Sequence, residues 1–450
     1  VATVEFLTYF DYFARLEYGN DYLNTHKFEI ENHLQHVVYA INQPAAARGY
    51  QSVFWNISLF DQHYFASMFG EFVFPDFSKP NWQTVDTLQQ FFLTWLNKER
   101  EKSVLTFPVV TAAMLTENGQ CKDQDFALKL ATQKAQGNSF FIYLSDSADS
   151  LASCCRLRNE ISDNTFSYTL GAGGVATGSI NVITLNMNRL VQDGRDLKTE
   201  IEKIQKYQVA YRELMEDYKA QGALSVYDAG FISLDKQFLT IGINGMAEAA
   251  EFANVTVGNN QDYKDFVSSK LKVIYQANQV AKKEFGYMFN TEFVPAENLG
   301  VKNAKWDSKD GYQVNRDCYN SYFYLVEDDD TNHLDKFVLH GQEITQYLDG
   351  GSALHLNLDE ALSAQAYVKL FNVAAATGCN YFCINVKITI CNTCETIDKR
   401  TLIQCPSCGS QDIDHGTRVI GYLKRVTAFS KDRQKEHALR HYHKEGNNAA

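Results

Sequence analysis

The sequence predicts an α/β protein in which short, mostly parallel strands alternate with long helices, followed by a small cysteine-bearing module near the C-terminus. Three observations predict it. Apolar runs of strand length recur at Thr106 to Ala113, Ser139 to Leu144, Asn181 to Leu185 and Phe238 to Ile243. Long charged helical stretches at 190–222 and 262–285 separate later runs, the pattern of strands joined by crossover helices. Four cysteines form two CxxC pairs, Cys391/Cys394 and Cys405/Cys408.

In order along the chain, residues 1–50 read as helices. Phe6, Tyr9, Phe10, Phe13 and Leu16 recur at helical spacing and are expected to face the core. Pro44 and Gly49 end this stretch before Gln51. The segment Ser52 to Phe60 alternates like a strand. Leu224 to Tyr227 reads as a further short element, and Ala353 to Leu356 and Tyr381 to Val386 as late strands. The tail beyond Leu423 is basic and polar, and is expected to be a solvated helix.

Composition bounds the function. The 450 residues allow one large domain or two to three ordinary ones, and a hydrophobic content of 45% supports a sizeable core. A net charge of −12 argues against a nucleic-acid-binding face. No apolar run is long enough for a membrane span, and no secretory signal opens the chain. Ten cysteines, four of them in metal-ligand spacing, fit a reducing cytoplasm better than a disulfide framework. The opening lacks an initiator Met and runs directly into an aromatic helical segment, and the chain is expected to be the C-terminal part of a longer protein or a truncated record.

Three groups of residues suggest chemistry. Two CxxC knuckles can close four thiolates around one Zn²⁺; a structural site is the expected reading, with a redox role as the alternative. Gly421, in Arg418-Val419-Ile420-Gly421-Tyr422-Leu423, is either a turn or bulge or the site of a stored radical. Only glycine lets an α-carbon radical delocalise into its amides without a side chain in the way. Upstream, Cys154-Cys155-Arg156 offers a thiol that such a radical could oxidise. Cys121, Cys318, Cys379 and Cys383 show no ligand spacing and read as core residues. So does His355. Gly171-Ala172-Gly173-Gly174 matches no phosphate loop. Gly350-Gly351-Ser352 is a weak candidate for holding phosphate.

Taken together, these segments resemble the anaerobic (class III) ribonucleoside-triphosphate reductases, a glycyl-radical family. The landmarks, in order, are Gln51 to Ser58, Thr106 to Ala113, Ser153 to Leu157, Pro295-Ala296-Glu297, the CxxC pairs and the Arg418 to Leu423 segment. The resemblance implies a ten-stranded α/β barrel of two antiparallel halves, incomplete at the N-terminus. Residues 1–386 would form it, with a finger loop near 150–180, followed by zinc knuckles over 387–412 and a glycyl-radical loop and tail over 413–450. It implies that Gly421 stores the radical, that Cys155 takes it and attacks the ribose 3′ hydrogen, and that Glu297 moves protons. Cys154 is the neighbouring alternative should the register slip by one.

Two departures concern the reductant. Glu292 stands where some relatives have tyrosine, and Ser179 where formate-using relatives have asparagine. Ser179, Asn181 and Glu292 are therefore candidate substrate contacts, and subgroups of the family draw electrons from formate or from a redoxin. The resemblance further implies structural Zn²⁺ and an activating protein that uses S-adenosylmethionine and a 4Fe–4S cluster. It also implies ribonucleoside triphosphate substrates, ATP or dNTP effectors near a homodimer interface touched by the first 60 residues, and neither nucleic acid nor membrane as a partner. The rivals are another glycyl-radical enzyme, such as an acyl-transferring lyase, and a catalytically incomplete binding partner.

Overall fold

The structure is a computed structural model that describes residues 2–148, 150–152, 158–160, 178–230, 232–293, 298–418 and 421–443. Cys154, Cys155 and Glu297, together with the Gly171 to Gly174 cluster, lie outside these residues.

Among the described residues, nine strands make up the main framework. Four are β1 (Ala2–Thr3), β2 (Asn56–Phe60), β3 (Val109–Glu117), with its short antiparallel partner β4 (Gln120–Cys121), and β5 (Phe141–Ser145). A two-stranded ribbon, β6 (Ser150–Ala152) with β7 (Arg158–Glu160), follows. The other five are β8 (Gly178–Asn186), β9 (Gln237–Asn244), β10 (Met288–Phe293), β11 (Leu354–Leu358) and β12 (Tyr381–Val386).

β1, β2, β3 and β5 pair in parallel in that order. β8, β9 and β10 also pair in parallel, as do β11 and β12. A parallel bridge from Glu292 to Gly351 carries β10 toward β11. Only β12 against β5 is antiparallel among these nine. Two parallel sets thus meet along one antiparallel seam, as two antiparallel halves require.

Burial explains why β2 does not alternate as read. All five of its residues are buried, as are those of β5, β9 and β11. Parallel strands covered on both faces lose the apolar–polar alternation. Val110, Ala112, Met114, Ile142, Leu144, Phe382 and Ile384 pack under the helices. The alternate residues Val109, Ala113, Phe141, Tyr143, Tyr381 and Cys383 form a second cluster on the opposite face.

Two further expectations are corrected. In the helix Phe6–Tyr18 the aromatic stripe is not the buried one: Phe13 is 57% and Leu16 62% exposed. Leu7, Thr8, Asp11, Tyr12 and Ala14 face inward instead. The fully buried Asp11 accepts from Tyr22 Oη at 2.9 Å, Arg15 Nε at 2.9 Å and Thr84 Oγ1 at 2.8 Å, so a polar hub turns this helix. The C-terminal helix Lys431–Leu439 is likewise not simply solvated, since Arg433, Glu436 and Arg440 are buried. The backbone beyond it joins the framework, with His443 N donating to Asn357 O at 3.1 Å.

Charged stretch 190–222 resolves into two helices, Met187–Gln192 and Leu197–Ala220, parted at Gly194. The stretch 262–285 is one helix, Gln261–Phe285. Ser225–Asp228 is a single helical turn. No helix among the described residues is long and apolar enough to cross a membrane.

Candidate active site and metal centre

β13 (Ile388–Cys391), β14 (Ile397–Asp398), β15 (Ile413–Arg418) and β16 (Leu423–Arg425) form a small antiparallel sheet directly after β12. Each cysteine pair is held in the same turn. Glu395 N donates to Cys391 O at 3.1 Å and Cys391 N to Thr396 O at 2.9 Å; Gly409 N donates to Cys405 O at 3.0 Å and Cys405 N to Ser410 O at 2.9 Å. Each turn carries a left-handed residue, Glu395 at φ 61° and Gly409 at φ 72°.

The turns bring the four sulfurs together. Cys391 and Cys408 Sγ are 3.6 Å apart, as are Cys394 and Cys405 Sγ, and all four lie within 4.8 Å of one another. Tetrahedral zinc with Zn–S of about 2.3 Å needs sulfur separations of about 3.8 Å, so the donor set fits Zn²⁺ closely. The Thr396 hydroxyl and amide draw the Cys394 thiol down to about 6, while hydrogen bonds to the neighbouring thiols push Cys408 up.

Gly421 follows on the same sheet, between β15 and β16. Its carbonyl accepts from Arg418 Nη1 at 2.8 Å. The Arg418 side chain is 2% exposed, and its guanidinium lies 4.5 Å from the centroid of the Phe141 ring. Tyr422 packs edge-on against Phe54 at 6.0 Å and near Phe107 at 6.1 Å. Phe141 and Phe107 belong to the second apolar cluster, on the strand face opposite Val110, Ala112 and Ile142. The Gly421 segment therefore packs against that second cluster. It is held from behind as well: Arg440 Nη1 donates to Arg418 O at 2.9 Å, and Glu436 binds Arg440 at 2.8 Å and 2.9 Å.

The inner face of β8 to β10 is polar. Ser179 Oγ hydrogen-bonds Thr240 Oγ1, which donates to Asn290 Oδ1 at 2.6 Å. Asn290 is fully buried, and its Nδ2 has no partner among the described residues. Glu292 lies two residues along β10 on the same face and is 7% exposed. Asn181, past a bulge in β8, pairs in register with Leu239, whose face is apolar and helix-covered. The structure thus gathers Ser179 and Glu292 on one surface and sets Asn181 on the alternate one.

A family model described as anaerobic ribonucleoside-triphosphate reductase matches residues 1–443. The chain belongs to the anaerobic ribonucleoside-triphosphate reductase family. A solved anaerobic ribonucleotide reductase is 28% identical, with a TM-score of 0.85 over 99% of this chain and 73% of its own. The Thermotoga maritima enzyme in complex with dATP and CTP is 28% identical, with a TM-score of 0.83 over 97% and 73% of the two chains. A structure concerned with 1,2-propanediol dehydration in Roseburia inulinivorans shares the fold alone, at 10% identity and a TM-score of 0.54 over 93% and 61% of the two chains. No curated protein matches the chain. This reductase is an oxidoreductase that reduces ribonucleotides anaerobically, and its family implies a glycyl radical.

In the reductase, Cys121, Cys318, Cys379 and Cys383 are buried and free, as the absence of ligand spacing suggests. Burial pushes the Cys121 thiol up to about 12 and Cys318 to about 11, which keeps both inert. His355 is 1% exposed and sits 3.3 Å from Asn385 Nδ2. The Gly350 backbone leans on β10: a Cβ there would meet Thr291 O at 2.7 Å. That close approach accounts for the glycine without any phosphate.

Sequence reasoning missed Thr240, Asn290 and the Arg418–Arg440–Glu436 chain. The strand period could have placed Asn290 beside Glu292. No local pattern announces the arginines.

Proposed function

We propose that this reductase acts on ribonucleoside triphosphates, replacing the 2′-hydroxyl by hydrogen, with Gly421 as the radical store. The observation that carries this reading is the docking of the Gly421 segment, through Arg418 and Tyr422, against Phe141, Phe54 and Phe107 of the framework. The cysteine knuckles share the sheet with Gly421, and Zn²⁺ bound there would stiffen the segment's base.

In this reading Cys155 gives its S–H hydrogen to the Gly421 α-carbon and then takes the 3′ hydrogen of the ribose. The 2′-hydroxyl leaves as water, with Glu297 handling the proton; a two-electron reductant, formate or a redoxin, reduces the resulting ribose radical, and Cys155 returns a hydrogen to the 3′ carbon. Ser179, Glu292 and the unpartnered Asn290 Nδ2 offer polar contacts to the sugar. The surrounding aromatic cluster excludes water and oxygen. A separate activase using S-adenosylmethionine and a 4Fe–4S cluster would generate the radical.

The Thermotoga maritima relative is solved with dATP in its specificity site. By that likeness the present chain takes nucleotide effectors as well as substrates. A homodimer is part of the same proposal. Phe13, Leu16, Phe28 and Val37 are exposed on the helices Phe6–Tyr18 and Lys27–Asn42, an apolar surface suited to a second copy.

The test is EPR after anaerobic incubation with activase, S-adenosylmethionine and reductant. A doublet is expected in the parent and in Cys155→Ser, and none in Gly421→Ala. Cys155→Ser should also lose turnover. Turnover retained in Cys155→Ser, or a doublet surviving in Gly421→Ala, would overturn the assignment.

A further inference from the structure

The small sheet meets the framework across three buried cations. Arg100, on the helix Trp82–Lys102, is 8% exposed; Lys134, on the helix Gln124–Ala135, is 3%; Arg418, at the end of β15, is 2%. All three line one cavity of about 40 Å³, and no carboxylate lines it among the described residues. Lys399 also lines it, but that ammonium is already paired with Glu101 at 2.5 Å.

Among the described residues their hydrogen bonds reach only neutral acceptors. Arg100 donates to Asn138 Oδ1 at 3.4 Å, Ser139 O at 3.0 Å and Pro108 O at 3.3 Å. Lys134 donates to Ile384 O at 2.8 Å, and Arg418 to Gly421 O at 2.8 Å. Among the described residues, the Nε atoms of Arg100 and Arg418 are buried without a partner. Cys383 Sγ lies beside them, 3.5 Å from Phe140 O and 3.2 Å from Asn385 Oδ1. Burial, with repulsion from Arg418 added, pushes Arg100 down to about 9 and Lys134 to about 8. Unneutralised like charges this deep are costly unless paired.

We propose that this cavity binds a small inorganic monoanion, held by Arg100, Lys134 and Arg418, which clamps the small sheet to the framework and seats the segment leading to Gly421. Size limits the ligand. A water needs about 10–15 Å³ of the same measure, so the cavity suits a halide or a nitrate-sized oxyanion and excludes a nucleotide. The inference does not depend on the radical reading, because it rests on charge and enclosure alone.

The test uses the full chain in halide-free buffer. Sodium nitrate and sodium bromide should raise Tm saturably, while isethionate, too bulky for the cavity, should not do so at equal ionic strength. Arg100→Gln and Lys134→Met should each weaken the half-saturation by about tenfold or more, the worth of one charged hydrogen bond. Crystals soaked in bromide should show an anomalous peak between the three cations. Equal responses to nitrate and isethionate, or bromide peaks only elsewhere, would overturn the proposal. Should either variant fail to fold, the other variant and the wild-type comparison decide it.

Discussion

Glu436 shows how one side chain supports a distant glycine. It is 6% exposed, between Arg440 on one side and Arg433 Nη1 at 3.2 Å on the other. Burial by itself would raise its carboxyl, but Arg440 and then Arg433 hold it below the usual range. A depressed folded-state value means that its stabilisation is complete above the unfolded pKa of about 4.3 and fades as pH falls below it. Glu436→Gln removes the carboxylate that Arg433 and Arg440 share. It should cost about 3–5 kcal/mol, measured by urea denaturation at pH 7, with a smaller difference from the parent at pH 3. The same variant should loosen Arg440 from Arg418 O and so raise hydrogen exchange around Gly421. The sequence displayed these residues as part of a basic tail. Their burial was not legible there, because the helix Lys431–Leu439 has no apolar stripe to announce a docked face.

At the scale of elements, the cysteine sheet is the part most legible in advance. CxxC spacing dictates the knuckle geometry, and the sulfur separations near 3.6 Å follow from it. Fresh protein should contain about one Zn per chain. Chelation should remove protection from the amides of Ile388–Cys391 and Ile413–Arg418 while β3 and β5 keep theirs, read by hydrogen exchange. Uniform loss across all strands would show that the sheet does not fold as its own unit. The long helices were also legible from their polar, charged character. The aromatic stripe of Phe6–Tyr18 misled, because periodicity marks an apolar face without saying what covers it. Asp11 decides the orientation through three hydrogen bonds, two of them from Tyr22 and Thr84 on other helices.

At the scale of the whole molecule, that exposed stripe becomes a prediction. Phe13→Asp should leave the fold intact and shift the protein toward monomer in sedimentation velocity, if the apolar surface is the dimer contact. An unchanged dimer would place the interface elsewhere. The family assignment and the two antiparallel strand sets agree with the landmarks of the sequence. By itself the sequence determined the α/β class, the metal-type cysteines and the motif order. Each of these rests on residues close together in the chain, where spacing fixes geometry. Only the tertiary structure decided that β12 runs against β5, that Asn290 joins Ser179 through Thr240, and that Arg100, Lys134 and Arg418 converge beside the Gly421 segment. Those contacts join residues tens to hundreds of positions apart. Side-chain period says which face a residue occupies, but only packing says what lies opposite it.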